Sequence, residues 1–211
     1  MKQLLKDGQY LSIEKPIDFE INIKRSRFIA SLRKISNRLE FEENLKIINA
    51  KYSKANHYCW AYRFYGNPIP EHASDAGEPA GSAGRPILGT LKKNHLLNIM
   101  AVVTRYYGGI KLGISGLIFA YREVTANAIL NSEIIVQERM TSCEFVCSYE
   151  MYKLILDILK RQKITSKNVE AKFGEMIFGK FNVPLKENTI IIKKFDELKY
   201  RGYLEYRIDS F

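Results

Sequence analysis

Residues 99–113, IMAVVTRYYGGIKLG, decide the fold of the first part of the chain. The apolar run at residues 99–103 has the length and continuity of a buried strand. The glycines that follow predict a turn, and Ser115 is a candidate cap for a helix that continues to about Leu130. A strand that passes through such a turn into a helix aims backbone N–H groups and a positive helix end at one place. Anions bind at such places.

The side chains around this turn form the predicted nucleic-acid or anion-binding site. The site comprises Arg85, Arg105, Tyr106, Gly108, Gly109, Lys111 and Gly113. Arg105 and Lys111 supply positive charge, and Tyr106 supplies a ring that can stack on a base. Glycines also permit tight turns and close helix packing without any ligand, so both interpretations stay open. The turn lacks the Lys-Ser or Lys-Thr of a Walker A loop, so nucleotide hydrolysis has no support.

The elements on the N-terminal side of this segment alternate between strand and helix patterns. Alternating polarity predicts strands within residues 10–23, and an aromatic-rich strand is predicted at residues 57–65. A helix capped by Ser36 or Asn37 is predicted to run to about Lys51. Its predicted inward-facing residues are Leu39, Phe41, Leu45 and Ile48.

Residues 67–84 are rich in Pro, Gly, Ser, Ala, Asp and Glu and are too long for an ordinary connection, which indicates a functional loop. Within it, His72, Asp75 and Glu78 recur at three-residue intervals. These are the candidate catalytic residues, as a base with its orienting acid, or candidate metal ligands. Local structure also explains the pattern if Asp75 caps a turn and Glu78 pairs with Arg85. We expect neither a metal nor a cofactor.

The C-terminal part predicts a second domain, because the periodic pattern restarts after Glu138. The predicted elements are a strand at residues 140–148, a helix through residues 152–159, strands at 164–173 and 175–183, a helix at 186–199 and a strand at 203–209. The order β-α-β-β-α-β is the ferredoxin-like one. We therefore predict an α+β protein with domains at residues 1–138 and 139–211.

Composition and charge narrow the class of protein. The chain has 211 residues, of which 46% are hydrophobic, and this excludes an intrinsically disordered chain. Its formal charge of +10 favours polyanionic partners such as RNA, the ribosome or anionic lipid. Residues 1–138 carry 19 basic and 13 acidic side chains, and residues 139–211 carry 14 and 10, so the surplus is spread over both parts. A basic tail is excluded.

The three cysteines, Cys59, Cys143 and Cys147, form no Cys-x-x-Cys pattern and no complete disulfide framework, which predicts a reducing compartment. The first 15 residues include Asp7 and Glu14 and lack the apolar core of a secretory signal. No apolar run approaches the ~18 residues of a membrane helix. We predict a soluble cytoplasmic protein that does not contact the membrane.

Several linked blocks of sequence together resemble the IMPACT/YigZ family over about residues 10–130. The blocks are RSRFIA at residues 25–30, CWAY at 59–62, SDAGEP at 74–79, AGRPIL at 83–88 and TRYYGGIKLGISGL at 104–117. The resemblance implies an N-terminal domain similar to the second domain of ribosomal protein S5 and to domain IV of elongation factor G. It implies a C-terminal ferredoxin-like domain similar to the last domain of that factor.

The chain departs from the family pattern at two places. Many members carry a second acid where this chain has Ala76, which argues against a metal site built from paired carboxylates. Ile114 and Ser115 stand where Thr-Gly is common. Eukaryotic relatives that restrain the amino-acid-starvation kinase have an additional N-terminal domain that this sequence does not show, so the resemblance does not transfer that partnership.

Three hypotheses about function follow. The leading one is a non-enzymatic, translation-associated regulator that binds RNA or a ribosomal surface through the basic glycine-rich loop. The second is an enzyme that holds a small phosphorylated or carboxylated substrate between the loops at residues 71–85 and 105–116. The third gives the C-terminal domain a protein-interaction or homodimer surface.

Overall fold

The computed structural model describes residue 5 and residues 8–209 of the chain. The chain divides into two compact units, Tyr10–Gln137 and a unit that contains Glu138–Phe211 and also takes in Gln9. Both units combine helices with antiparallel sheet, so the α+β class is confirmed. Among the described residues, none of the helices is both long enough and apolar enough to cross a membrane.

The first unit is built on one five-stranded sheet. Its elements in chain order are β1 (Gln9–Ile13), β2 (Ile17–Ile23), β3 (Ser26–Lys34), α1 (Arg38–Lys51), β4 (His57–Arg63), β5 (Glu71–Ser74), α2 (Gly84–Lys93), β6 (Ile99–Tyr106), α3 (Gly113–Leu130) and β7 (Ile134–Glu138). The strand order is β2-β3-β6-β4-β5, and every neighbouring pair is antiparallel. Strands β1 and β7 pair separately.

Strand β6 lies at the centre of this sheet and is covered on both faces. Ala101 and Val103 pack into the core beneath α2 and α3, whereas Met100 and Val102 pack beneath α1 on the other face. The continuous apolar run of β6 is explained by this double burial, because alternate side chains of a strand point to opposite faces. The same alternation places Arg105 on the side of α2 and α3.

Two local predictions in this unit were wrong. Leu39 was expected to face inward, but its side chain is 65% exposed, and Phe41 and Ile48 are the buried residues of α1. Leu39 lies about 200° around the helix from Phe41, which turns it to solvent. Ser115 was expected to cap α3, but it lies inside that helix, and the residue before the helix is Leu112. Helix α3 therefore starts without a side-chain cap.

The second unit has the predicted β-α-β-β-α-β order. Its elements are β8 (Met140–Cys147), α4 (Tyr149–Arg161), β9 (Val169–Phe173), β10 (Ile177–Pro184), α5 (Leu185–Tyr200) and β11 (Leu204–Asp209). The antiparallel sheet has the order β11-β8-β10-β9. Gly179 allows close packing at its centre, since a Cβ there would lie 2.1 Å from the Phe145 ring. This is the ferredoxin-like arrangement of elements.

Candidate functional site

The two loops singled out by the sequence meet at a buried ion pair. Arg105 Nη1, at the end of β6, lies 2.6 Å from Glu78 Oε1, and the two side chains are only 6% and 3% exposed. Tyr121 of α3 donates its hydroxyl to the same Glu78 oxygen at 2.8 Å. The pair therefore joins the segment before α2 to the central strand and to α3.

Arg105 is held by further contacts within the core. Its guanidinium lies 5.3 Å from the centre of the Phe28 ring and 5.4 Å from that of Tyr107. Nη2 approaches Ser26 Oγ at 3.5 Å, at the limit of a hydrogen bond, and Nε has no partner among the described residues. This arginine is thus a buried, ion-paired group with unused donor capacity rather than an exposed cation.

Asp75 organises the start of α2. Its carboxylate accepts hydrogen bonds from the backbone N–H groups of Gly81, Ala83 and Gly84 at 2.8, 2.9 and 2.8 Å. Burial raises the pKa of Asp75, but these three donors outweigh burial and hold the pKa below its usual value. The carboxylate acts as the missing cap of α2, since Ala83 offers no side-chain acceptor.

Cys59 lies in the same buried cluster. Its thiol donates to the Asp75 carbonyl oxygen at 2.9 Å and contacts the Tyr121 hydroxyl at 3.3 Å. Burial raises the pKa of Cys59 to about 12, so the thiolate nucleophile is not formed near neutral pH. Burial also raises the pKa of Tyr121, which keeps its hydroxyl protonated as the donor to Glu78.

The structure does not bring His72 to Asp75 and Glu78. His72 is exposed on β5, and its ring lies against those of Trp60 and Tyr62, with centroids 5.5 and 6.3 Å away. Those two aromatic residues belong to the core beneath α1, on the sheet face opposite α2 and α3. Within residue 5 and residues 8–209, no group of three or more His, Cys, Asp or Glu side chains is placed to hold a metal ion.

The glycines at residues 108, 109 and 113, between β6 and the first turn of α3, have separate structural roles. A Cβ on Gly108 would lie 2.0 Å from the Arg25 carbonyl oxygen, so the loop packs directly on the chain before β3. Gly109 and Gly113 have φ of +84° and +70°, in the left-handed region, with open space around them. Gly108 N–H also donates to Ser26 Oγ at 3.2 Å. These contacts fix the path from β6 into α3.

The two tyrosines of this loop are placed differently. Tyr106 is partly buried, its hydroxyl donates to the Ser53 carbonyl oxygen at 3.2 Å, and the Arg27 guanidinium lies 5.4 Å from its ring centre. The neighbouring Tyr107 is 44% exposed. Tyr107 therefore presents more ring surface to solvent than Tyr106, the residue predicted to stack on a base.

A pocket of about 260 Å³ opens where these loops meet the start of α3. Its lining includes the charged residues Glu78, Arg105 and Lys111, the ring of Tyr107, and the backbone at Gly113. Of the residues predicted for the anion site, the structure thus places Arg105, Lys111 and Gly113 around one cavity. The pocket is smaller than most drug-sized ligand sites, so it suits a small ligand or one end of a larger one.

A larger groove of about 840 Å³ runs between α2 and α3. It is lined by Arg85, which the sequence singled out, and by Lys93 and Arg122, which it did not. Arg85, Lys93 and Arg122 are exposed, and no salt bridge involves them within the part of the chain that the structure describes. The one carboxylate of the lining is Glu123, so the groove is basic.

Sequence reasoning missed Lys93 and Arg122 because they come from helices far apart in the chain. The only local signal was the Lys92-Lys93 pair at the end of α2, which helix-dipole complementarity also explains. Lys92 itself bonds to Glu71 at 2.5 Å. The convergence of Lys93 and Arg122 on Arg85 depends on the packing of α2 against α3.

These features define a two-unit α+β protein whose first unit carries a glycine-rich strand-to-helix turn, locked by a buried arginine–glutamate pair, beside a basic groove. The Impact N-terminal domain model matches residues 24–129. The chain belongs to the IMPACT family, as the sequence blocks predicted.

Relatives match over both parts of the chain. IMPACT family member YvyE of Bacillus subtilis is 34% identical over 189 residues, which cover 90% of this chain and 86% of that protein. IMPACT family member YigZ of Escherichia coli is 34% identical over 142 residues, 66% of this chain and 68% of its own. A crystal structure of a hypothetical protein is 27% identical, with a TM-score of 0.71, and covers 94% of this chain and 96% of that chain.

Proposed function

We propose that this protein is a regulator of translation that binds RNA through the basic groove between α2 and α3. The observation that carries the proposal is the convergence of Arg85, Lys93 and Arg122 on one groove without a neutralising salt bridge among the described residues. The translational setting rests on IMPACT-family membership and on the resemblance to elongation-factor domains. A cytoplasmic location accompanies the proposal.

The proposed RNA binding rests on electrostatic contacts to phosphates and not on contacts to base edges. Cations that are exposed and unpaired gain most from RNA phosphates, because no internal ion pair has to be broken first. The three cations lie on the helices α2 and α3, so RNA binding there does not require a loop to become ordered. Lys111 lies in the lining of the neighbouring loop pocket, and Ile114 of that pocket is one helical turn before Ile118, which lines the groove.

The proposal assigns Arg105 a supporting role. Its charge is already compensated by Glu78, and its side chain is almost fully buried. Contacts to RNA phosphates therefore come from Arg85, Lys93 and Arg122 first, with Lys111 at the margin. The glycine-rich loop contributes by holding the start of α3 in place.

The test is co-sedimentation of the full chain with ribosomes and with total RNA at low salt, comparing wild type with Arg85→Ala/Arg122→Ala. The matched control is Lys34→Ala/Lys46→Ala, which removes the same net charge from exposed positions outside the groove. We expect the groove variant to lose at least about tenfold in affinity and the control to change less than about twofold. Equal losses in both variants, or no co-sedimentation of the wild type, would overturn the proposal.

A further inference from the structure

The start of α3 has backbone donors that nothing in the described chain uses. Within residue 5 and residues 8–209, no side chain or carbonyl accepts a hydrogen bond from the N–H groups of Gly113, Ile114 or Ser115. The first turn also has no acidic residue. The other helices of the unit differ, since Asn37 caps α1 and Asp75 caps α2. An 18-residue helix thus presents its positive end to the pocket lined by Gly113 and Ile114.

Arg105 gives a second, independent indication of a ligand in that pocket. It lines the cavity, its side chain is more than nine-tenths buried, and its Nε has no partner in the described part of the chain. Nε itself has almost no accessible surface. Nη2 is the guanidinium nitrogen with spare donor capacity, since its contact with Ser26 Oγ at 3.5 Å is at the limit of a hydrogen bond, and an oxyanion is the kind of ligand that arginine recognises. The uncapped helix and the unsatisfied arginine therefore point to the same chemistry.

The charge of the lining fits a phosphate monoester. Arg105 and Lys111 contribute two positive charges and Glu78 one negative charge, and the helix end adds about +0.5. The total of about +1.5 matches the charge of about −1.5 to −2 on a phosphate monoester near neutral pH. Apolar surface from Pro79 and Leu117 and the half-exposed ring of Tyr107 offer a place for the body of the ligand.

We propose that the pocket at the start of α3 binds a phosphate monoester through the N–H groups of residues 113–115, Lys111 and Arg105. The site is separate from the basic groove and does not depend on RNA binding there. The phosphate comes from a small molecule such as a mononucleotide or from the phosphorylated 5′ end of an RNA, which share this chemistry.

The experiment is a titration of the ¹⁵N-labelled full chain with inorganic phosphate, AMP and adenosine, following the backbone amide signals of Gly113, Ile114 and Ser115. We expect saturable shifts with phosphate and AMP at concentrations up to about 1 mM and none with adenosine. A 5′-phosphorylated oligonucleotide compared with its 5′-hydroxyl form distinguishes an RNA end from a free mononucleotide. Absence of saturable shifts with every phosphate probe would overturn the proposal.

Ile114→Asp provides the decisive variant. Ile114 is 60% exposed, so its replacement leaves the core intact, and an acidic residue in the first turn favours the helix while it repels an anion. We expect Ile114→Asp to weaken phosphate binding at least tenfold with an unchanged or higher unfolding midpoint. The uncharged control Ile114→Asn should stay within about twofold of wild type. Equal binding by the two variants would contradict the site.

Two more variants locate the effect. Lys111→Ala should weaken phosphate binding, because Lys111 is an exposed cation in the lining. Arg85→Ala/Arg122→Ala, in the groove, should leave it unchanged. If the groove variant loses RNA but keeps phosphate, the two sites are independent. Loss of phosphate binding in the groove variant with none in Lys111→Ala would place the anion outside this pocket and overturn the proposal.

Discussion

Glu78 and Arg105 bury opposite charges against each other, and removing one charge leaves the other without compensation. Glu78→Gln should therefore lower the free energy of unfolding by about 3 kcal/mol, measured by urea denaturation. The control Glu123→Gln changes an exposed carboxylate on α3 and should stay within about 0.5 kcal/mol of wild type. A similar small effect for both would show that the buried pair adds little to stability.

Asp75 should make stability depend on pH in the acid range. Its carboxylate is favoured in the folded state, so its folded pKa lies below the unfolded value of about 3.9. The contribution of Asp75 to the free energy of unfolding is fully present above the unfolded pKa and is lost as the pH falls through the lower folded pKa. Asp75→Asn should cost about 1 kcal/mol at pH 7, because the amide nitrogen cannot accept the hydrogen bond that Gly81 N–H donates to the carboxylate, and it should flatten the acid decline of the urea midpoint below about pH 4.

The control for this pH dependence is Glu43→Gln, an exposed position on α1. It should leave both the stability at pH 7 and the acid decline close to those of wild type. If Asp75→Asn declines as steeply as wild type, the three backbone donors do not provide the stabilisation that their geometry indicates.

The turn between β6 and α3 contains glycines that are required for two different reasons, a close backbone contact at Gly108 and a positive φ at Gly109. Gly108 lies against the Arg25 backbone, so Gly108→Ala forces two chain segments apart, whereas Gly109 has open space and only its φ of +84° disfavours a side chain. Gly109→Ala should cost about 1 to 2 kcal/mol of folding free energy. Gly108→Ala should cost clearly more, by thermal or urea unfolding. The reverse order would show that the backbone contact relaxes easily.

At the level of elements, periodicity predicted the parts of the fold that depend on local pattern. The β-α-β-β-α-β order of the second unit followed from alternating and helical spacing, and β6 followed from its apolar run. Leu39 was misplaced because apolar character outweighed its angle relative to Phe41 and Ile48. Serine favours the cap position by residue type, but α3 already begins at Gly113, so Ser115 lies within the helix.

The composition of the candidate site follows more from the packing of helices and strands than from the sequence pattern. The alternation of Ala101, Val103 and Arg105 along β6 already places the arginine on a core-facing side, and this signal was available in the sequence. The sequence does not identify Glu78 as the ion-pair partner of Arg105, because Arg85, close to Glu78 in the chain, is an equally suitable partner for that carboxylate. Lys93 and Arg122 could not be grouped with Arg85 before the pairing of α2 with α3 was known.

At the scale of the whole molecule, attraction by the net charge of +10 and binding in the basic groove predict different effects of the groove substitutions on the salt dependence of RNA affinity. If the groove cations contact RNA phosphates, each contact releases counterions, and the logarithm of affinity falls linearly with the logarithm of salt concentration. Each phosphate contact contributes about 0.7 to 0.9 to the steepness of that slope. Arg85→Ala/Arg122→Ala removes two contacts and should therefore reduce the steepness by roughly 1.5. Fluorescence anisotropy with a labelled RNA hairpin across a salt series measures it. Lys34→Ala/Lys46→Ala lowers the net charge equally, so a matching reduction there would assign the attraction to total charge instead of to the groove.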